Sequence, residues 1–113
     1  MSLVQYVVVR GDLNWPVGAL IAQGCHSCVS AIVSNLSDEK TREYINALDS
    51  MHKVVLKAEN AEQLSELSKV LTENEIPFYC WTEQPENIKT CLATVPREKS
   101  VLSKYFKQFK LFQ

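Results

Sequence analysis

Residues 4–28 read VQYVVVRGDLNWPVGALIAQGCHSC, and a change of period inside them decides the fold class. Val4 to Arg10 is a β-branched and aromatic run, the composition of a buried strand. Gly11 and Pro16 break the chain across GDLNWP. From Pro16 to about Asn35, Leu20, Ile21, Cys25, Cys28, Val29 and Ile32 recur at helical spacing. Pro16 suits the first turn, where its missing N–H costs nothing. A strand feeding a helix is the opening of an α/β unit.

The same alternation continues outward. Ser37, followed by Asp38 and Glu39, marks a helix start with Tyr44, Ile45 and Leu48 as its apolar face. HKVVLKA at 52–58 is a second strand. The clearest helix begins at Asn60, where Asn60 and Gln63 form a capping-box-like pair before the stripe Leu64, Leu67, Val70 and Leu71. PFYCWTE (77–83) and KTCLATV (89–95) are strands joined by the turn-like QPEN, so this pair is antiparallel. After Pro96 a last helix is expected, with Val101, Leu102, Tyr105, Phe106 and Phe109 inward and Lys104, Lys107 and Lys110 outward. The pattern predicts an α/β domain whose mixed sheet is covered on both faces.

With 113 residues, 46% hydrophobic and 22% charged, residues 1–113 are expected to form one domain. LVQYVVV is too short for a signal-peptide core, and no apolar run approaches the roughly 20 residues that cross a bilayer. A cytoplasmic protein without membrane contact is the expectation. Residues 1–88 carry six basic and twelve acidic side chains, a net of −6; residues 89–113 carry six basic and one acidic, a net of +5. The basic quarter suits contact with a polyanion, and equally the solvated face of an amphipathic helix.

Cys25, Cys28, Cys80 and Cys91 can be written as a four-thiolate zinc site. Against it, Cys25 lies well inside the predicted helix, and Cys80 and Cys91 sit singly on strands. A reactive Cys-x-x-Cys needs the helix N-terminus to lower its thiol pKa, and Val17 and Gly18 hold that place. Structural thiols and no metal are expected, with redox chemistry through Cys25 and Cys28 as the lesser alternative.

Taken in order, VRGDL, PVGALIAQGCH, HKVVLKAENAEQLSELSKVL and IPFYCWTEQPENIKTCLATVP resemble the type 2 peptidyl-tRNA hydrolases, from about residue 4 to the final FKLF. WPVGALIAQGCH and WTEQPENI look closest to that family's divergent domain-containing protein 1 group. The resemblance implies a three-layer α/β/α domain with a four-stranded mixed sheet. It also implies hydrolysis of the ester joining a peptide to the terminal ribose of tRNA, with no cofactor or metal. That reaction needs a positioned water, an acceptor for its proton and a donor for the developing oxyanion.

The family's Arg-x-Asp-Leu falls on Arg10, Asp12 and Leu13, and its Ala-Gln with a following His falls on Ala22, Gln23 and His26. Its Lys-Gly-Lys is replaced by Val17, Gly18 and Ala19, so the catalytic lysine is missing. Its Asp-Ala-Gly-Arg-Thr-Gln gives way to Glu83 and QPEN. The resemblance therefore implies Glu83 and His26 as catalytic groups. Arg10, Asp12, Gly18, Gln23, Gln84, Asn87 and Lys89 would bind substrate. Amides near Val17 and Gly18 suit an oxyanion or a phosphate. Lys89, Lys53 and Arg10 are cations available in place of the lost lysine. Trp15 and Trp81 either pack at the rim or stack the unpaired bases of a tRNA 3′ end, at roughly 1–3 kcal/mol per base. The expected partner is peptidyl-tRNA or the tRNA 3′ end, with a protein partner as a further option. Two main readings stay open, a hydrolase with a rearranged site and a tRNA- or protein-binding module without the chemistry.

Overall fold

The computed structural model describes residues 2–113. In chain order the elements are β1 (Leu3–Arg10), α1 (Val17–Val33), α2 (Glu39–Ile45), β2 (Lys53–Ala58), α3 (Ala61–Glu73), β3 (Phe78–Glu83), β4 (Ile88–Thr94), β5 (Arg97–Glu98), α4 (Lys99–Leu102) and β6 (Lys110–Leu111). The sheet order is β3-β4-β1-β2-β6, with β5 paired to β1 off that path. β1 and β2 are parallel and the other pairings antiparallel, so the sheet is mixed.

Alternation along β1 builds two cores. Val4, Tyr6 and Val8 point to one face, where they join Leu56, Leu64, Leu67, Leu71, Leu92, Leu102 and Phe106. Val7 and Val9 point to the other, against Ala31 of α1 with Cys91 and Ala93 of β4. This double burial is why β1 reads as an unbroken apolar run. The helices cover both faces, giving the expected three-layer α/β/α architecture.

The sheet has six strands rather than four. The additional two are two residues long, β5 against Leu3 and Val4 and β6 against Leu56 and Lys57. A two-residue strand has no side-chain period to read, because only its backbone hydrogen bonds define it.

The terminal helix also differs from expectation. Only Lys99–Leu102 is α-helical; a 3₁₀ turn at Ser103–Tyr105 and then β6 follow. Phe106 stacks on Tyr6 with ring centroids 4.3 Å apart, and Phe109 is buried near it. Sinking both rings bends the chain inward, which delivers Lys110 and Leu111 to the open edge of β2. Helical spacing of the aromatics fits this bend as well as it fits a helix.

Smaller shifts occur elsewhere. The cap of α2 is Asp38, not Ser37, accepting from the Thr41 N–H at 2.9 Å. Arg97 donates to both Asp38 oxygens at 2.9 and 3.1 Å, fastening α2 to β5. Leu48 falls in a 3₁₀ turn beyond α2 and stays exposed. Val70 is exposed at the edge of the α3 stripe. Asn60 caps α3 as expected, accepting from the Gln63 N–H at 2.9 Å.

Candidate active site

The strand pairing gathers the expected site at one end of the sheet. Glu83 at the end of β3 pairs with Ile88 at the start of β4, and Val9 near the end of β1 pairs with Cys91. The loop after Arg10 is short, so α1 begins at this same end.

Arg10 donates to Asp12 through two parallel bonds, Nε to Oδ1 at 3.0 Å and an η-nitrogen to Oδ2 at 2.8 Å. Its other η-nitrogen donates to the Lys89 carbonyl at 3.1 Å. The Asp12 hydrogen bond raises the Arg10 pKa, and the reverse contact lowers that of Asp12. Paired in this way, the two side chains tie the β1–α1 loop to β4 with little free charge to offer.

Gln23 is buried, and its Oε1 accepts from the Thr90 hydroxyl at 2.7 Å. With that oxygen engaged, the amide nitrogen is the donor left for other use. Thr90, itself fully buried, escaped the sequence reading because a β-branched residue fits a strand whatever its hydroxyl does.

The remaining residues meet around Trp81. Its indole N–H donates to Glu83 Oε1 at 2.9 Å. The His26 ring, reaching over from α1, stacks on the indole at 4.5 Å with 23° between the planes. Ser27, next to His26, donates to the Tyr79 carbonyl at 2.9 Å and fixes α1 against β3. The two expected catalytic residues are thus joined through one aromatic ring. Their shared contact is with Trp81, which holds the carboxylate by its edge and the imidazole by its face.

Gln84 and Asn87 interact across the turn, Nε2 to Oδ1 at 3.2 Å, and both are exposed. Asn87 takes φ 58°, a left-handed conformation that asparagine tolerates. Gly18 lies exposed in the first turn of α1, where no side chain caps the free amides. Lys89 is exposed beside Arg10's anchor. Lys53 is elsewhere. It pairs in register with Gln5, five residues along β1 from Arg10, which at about 3.3 Å per residue is roughly 16 Å. It cannot replace the missing lysine.

The cysteines are free thiols. Burial pushes the Cys28, Cys80 and Cys91 thiols up, away from the reactive thiolate form. Among the described residues, no group of three or more His, Cys, Asp or Glu side chains is placed to share a metal ion.

The family model for peptidyl-tRNA hydrolase PTH2 matches residues 3–112. The chain belongs to the type 2 peptidyl-tRNA hydrolase family. It is 43% identical to the Mus musculus protein named "Putative peptidyl-tRNA hydrolase PTRHD1", over 98% of this chain and 83% of that one. It is 32% identical to the "Peptidyl-tRNA hydrolase" of Thermococcus onnurineus, over 95% of each chain. Within the family it therefore stands nearest the domain-containing protein 1 group. A solved structure of a protein of unknown function, Atu0240 from Agrobacterium tumefaciens, superposes with a TM-score of 0.69 over 100% of this chain and 99% of that one. At 11% identity that likeness shows the fold alone.

Proposed function

We propose that this chain hydrolyses the ester between an acyl or peptidyl group and the 3′ end of tRNA, through a site rebuilt around Glu83. The observation that carries the reading is the indole–carboxylate bond. Trp81 engages one oxygen of Glu83, so the other oxygen is left to take a proton from water. The carboxylate is also set before substrate arrives. That preorganisation is what a general base needs, since orientation is established in advance rather than during reaction. His26, held flat on the same ring, is the second acid–base group. The uncapped amides of Val17 and Gly18 face the end of α1 where an oxyanion or phosphate is stabilised. The Gln23 amide is a positioned donor, and Lys89, paired with Thr82, is an exposed cation at the same end of the sheet. Arg10 and Asp12 shape the loop. Gln84 and Asn87 form the rim, and the part of the half-buried Trp81 ring that His26 leaves uncovered is offered to a base.

A second reading has its own support. Val17 stands where the family has lysine and is 69% exposed, an apolar group where a cation would act. On that reading the chain holds tRNA without cleaving it. Single-turnover release of a labelled, N-blocked amino acid from tRNA separates the two. Hydrolysis above the buffer rate that Glu83→Gln abolishes supports the enzyme. Retention of tRNA in a gel shift with background release supports the binding module.

A further inference from the structure

The lysines of the terminal segment are not the polar face of a helix, because the chain turns inward at Phe106 and Phe109 and ends in β6. That turn gives Lys110 a defined place, directly opposite Lys57 in the β2–β6 register. Leu56 and Ala58 point into the core under α3, so Lys57, between them, points to the α1 side of the sheet. Phe112 packs against the α1-side core, and Lys110, two residues before it, shares that face. Both lysines therefore rise from one face, on strands about 5 Å apart.

Like charges directly opposite each other destabilise a sheet, so such a pair calls for a counter-charge. The protein supplies little. The Lys57 ammonium lies 3.8 Å from one Glu59 oxygen, a long ion pair to a side chain that is 59% exposed. Among the described residues Lys110 enters no ion pair. Residues 13–37, which include all of α1, contain no Asp or Glu, so the helix on this face brings no anion either. Gly11 settles where the Lys57 charge goes. A Cβ at Gly11 would overlap Cγ and Cδ of Lys57, so the lysine stem lies flat across the glycine. Lys57 pairs with Val9, and Gly11 follows the end of β1, so the stem runs toward the end of the sheet where α1 begins.

We infer that Lys57 and Lys110 form a phosphate clamp for the tRNA strand that leads to the 3′ end. The inference rests on the tRNA that both readings above share, and not on turnover. β2 stands three places from β3 in the sheet order, about 14 Å at the usual strand spacing. The clamp therefore does not touch an ester held at Glu83. At about 3.4 Å per phosphate along a stacked strand, it takes a phosphate roughly four nucleotides before the terminal ribose. Lysine suits this task, since it meets phosphate as a point charge and reads no base.

Fluorescence anisotropy of a labelled acceptor-stem minihelix with the whole chain, at several salt concentrations, tests it. Lys57→Gln and Lys110→Gln are each expected to weaken binding about threefold, the scale of one exposed ion pair. Each should also flatten the dependence of log Kd on log salt by about 0.7–0.9. Gly11→Ala removes no charge but displaces Lys57, and is expected to weaken binding as Lys57→Gln does. Lys69→Gln, exposed on α3 across the sheet, is expected to change neither affinity nor slope. A neutral methylphosphonate linkage is then walked back from the 3′ end, one position at a time. At one interior linkage it should cost the wild type about threefold and the Lys57→Gln, Lys110→Gln double variant nothing. Equal loss with Lys69→Gln, a Gly11→Ala protein that binds as tightly as wild type, or a double variant as sensitive as wild type at every linkage overturns the clamp. If the wild type releases the amino acid from tRNA while the lysine variants bind as it does, the clamp alone fails. A wild type that neither holds nor cleaves tRNA overturns the clamp together with the reading beneath it.

Discussion

Replacing Trp81 with Phe removes one hydrogen-bond donor and keeps an aromatic face under His26. The bond removed is 2.9 Å long and runs to a carboxylate. Such bonds are worth about 1.5–3 kcal/mol when well buried. Here both partners are half-buried, so solvent offers Glu83 a partial replacement, and about 1 kcal/mol is the appropriate figure. If Glu83 is the base and the indole sets its direction, that energy appears in the rate. At 1.36 kcal/mol per tenfold, Trp81→Phe is expected to slow single-turnover release by about fivefold. Trp81→Ala, which also removes the surface under His26, is expected to cost more. The assay is release of an N-blocked amino acid from tRNA at enzyme excess, with tRNA affinity measured in parallel. A Trp81→Phe rate equal to wild type, in a protein whose Glu83→Gln variant is inactive, refutes the positioning role. Equal rates for all three remove Glu83 from the mechanism.

Other outcomes follow from the remaining geometry. Gln23→Leu or Thr90→Val alone strands a buried polar partner and should cost about 1–3 kcal/mol in urea unfolding. The double substitution should cost much less than the sum, and additivity of the two would show that the bond does not matter. For Asp38, burial favours the neutral acid, but bonds from Arg97 and Thr41 outweigh it and hold the pKa below the usual carboxylate range. Its stabilisation is therefore complete above the unfolded value near 3.9, declines as pH falls, and is gone below the folded pKa. Asp38→Ala should cost roughly 1–2 kcal/mol at pH 7 and nothing in strong acid; a loss independent of pH contradicts the account. Cys91 should resist iodoacetamide in the native protein and react once urea is added, as read by peptide mass spectrometry. Native labelling as fast as that of exposed Cys25 would disprove its burial.

What the sequence made legible were elements whose side chains repeat. β1 announces itself as Val-rich, and α1 and α3 through apolar residues three and four apart. Asn60 and Gln63 even identify the start of α3. Backbone-only features were invisible, which is why β5 and β6 were missed and the terminal helix was drawn too long. In the site, the Trp81–Glu83 contact is local, between alternate residues of one strand that share a face. The Gln23–Thr90 bond joins residues 67 positions apart, and no spacing rule points to it. The expected residues did gather at one end of the sheet, except Lys53, because the β1–β2 register sends it to the other.

The two residues of β6 also have a guarding role. They occupy the outer edge of β2, pairing with Leu56 and Lys57. A bare strand edge is a template for any other extended chain. Since Lys110 and Leu111 are both exposed, this cover is anchored by neighbouring Phe109 and by the Phe112 N–H bonded to the Val55 carbonyl at 3.1 Å. Amide exchange should therefore open β2 from this side first. Conditions that peel β6 away would convert a closed sheet into one that recruits strands, so the resistance of this fold to aggregation rests on how firmly Phe109 stays in its core.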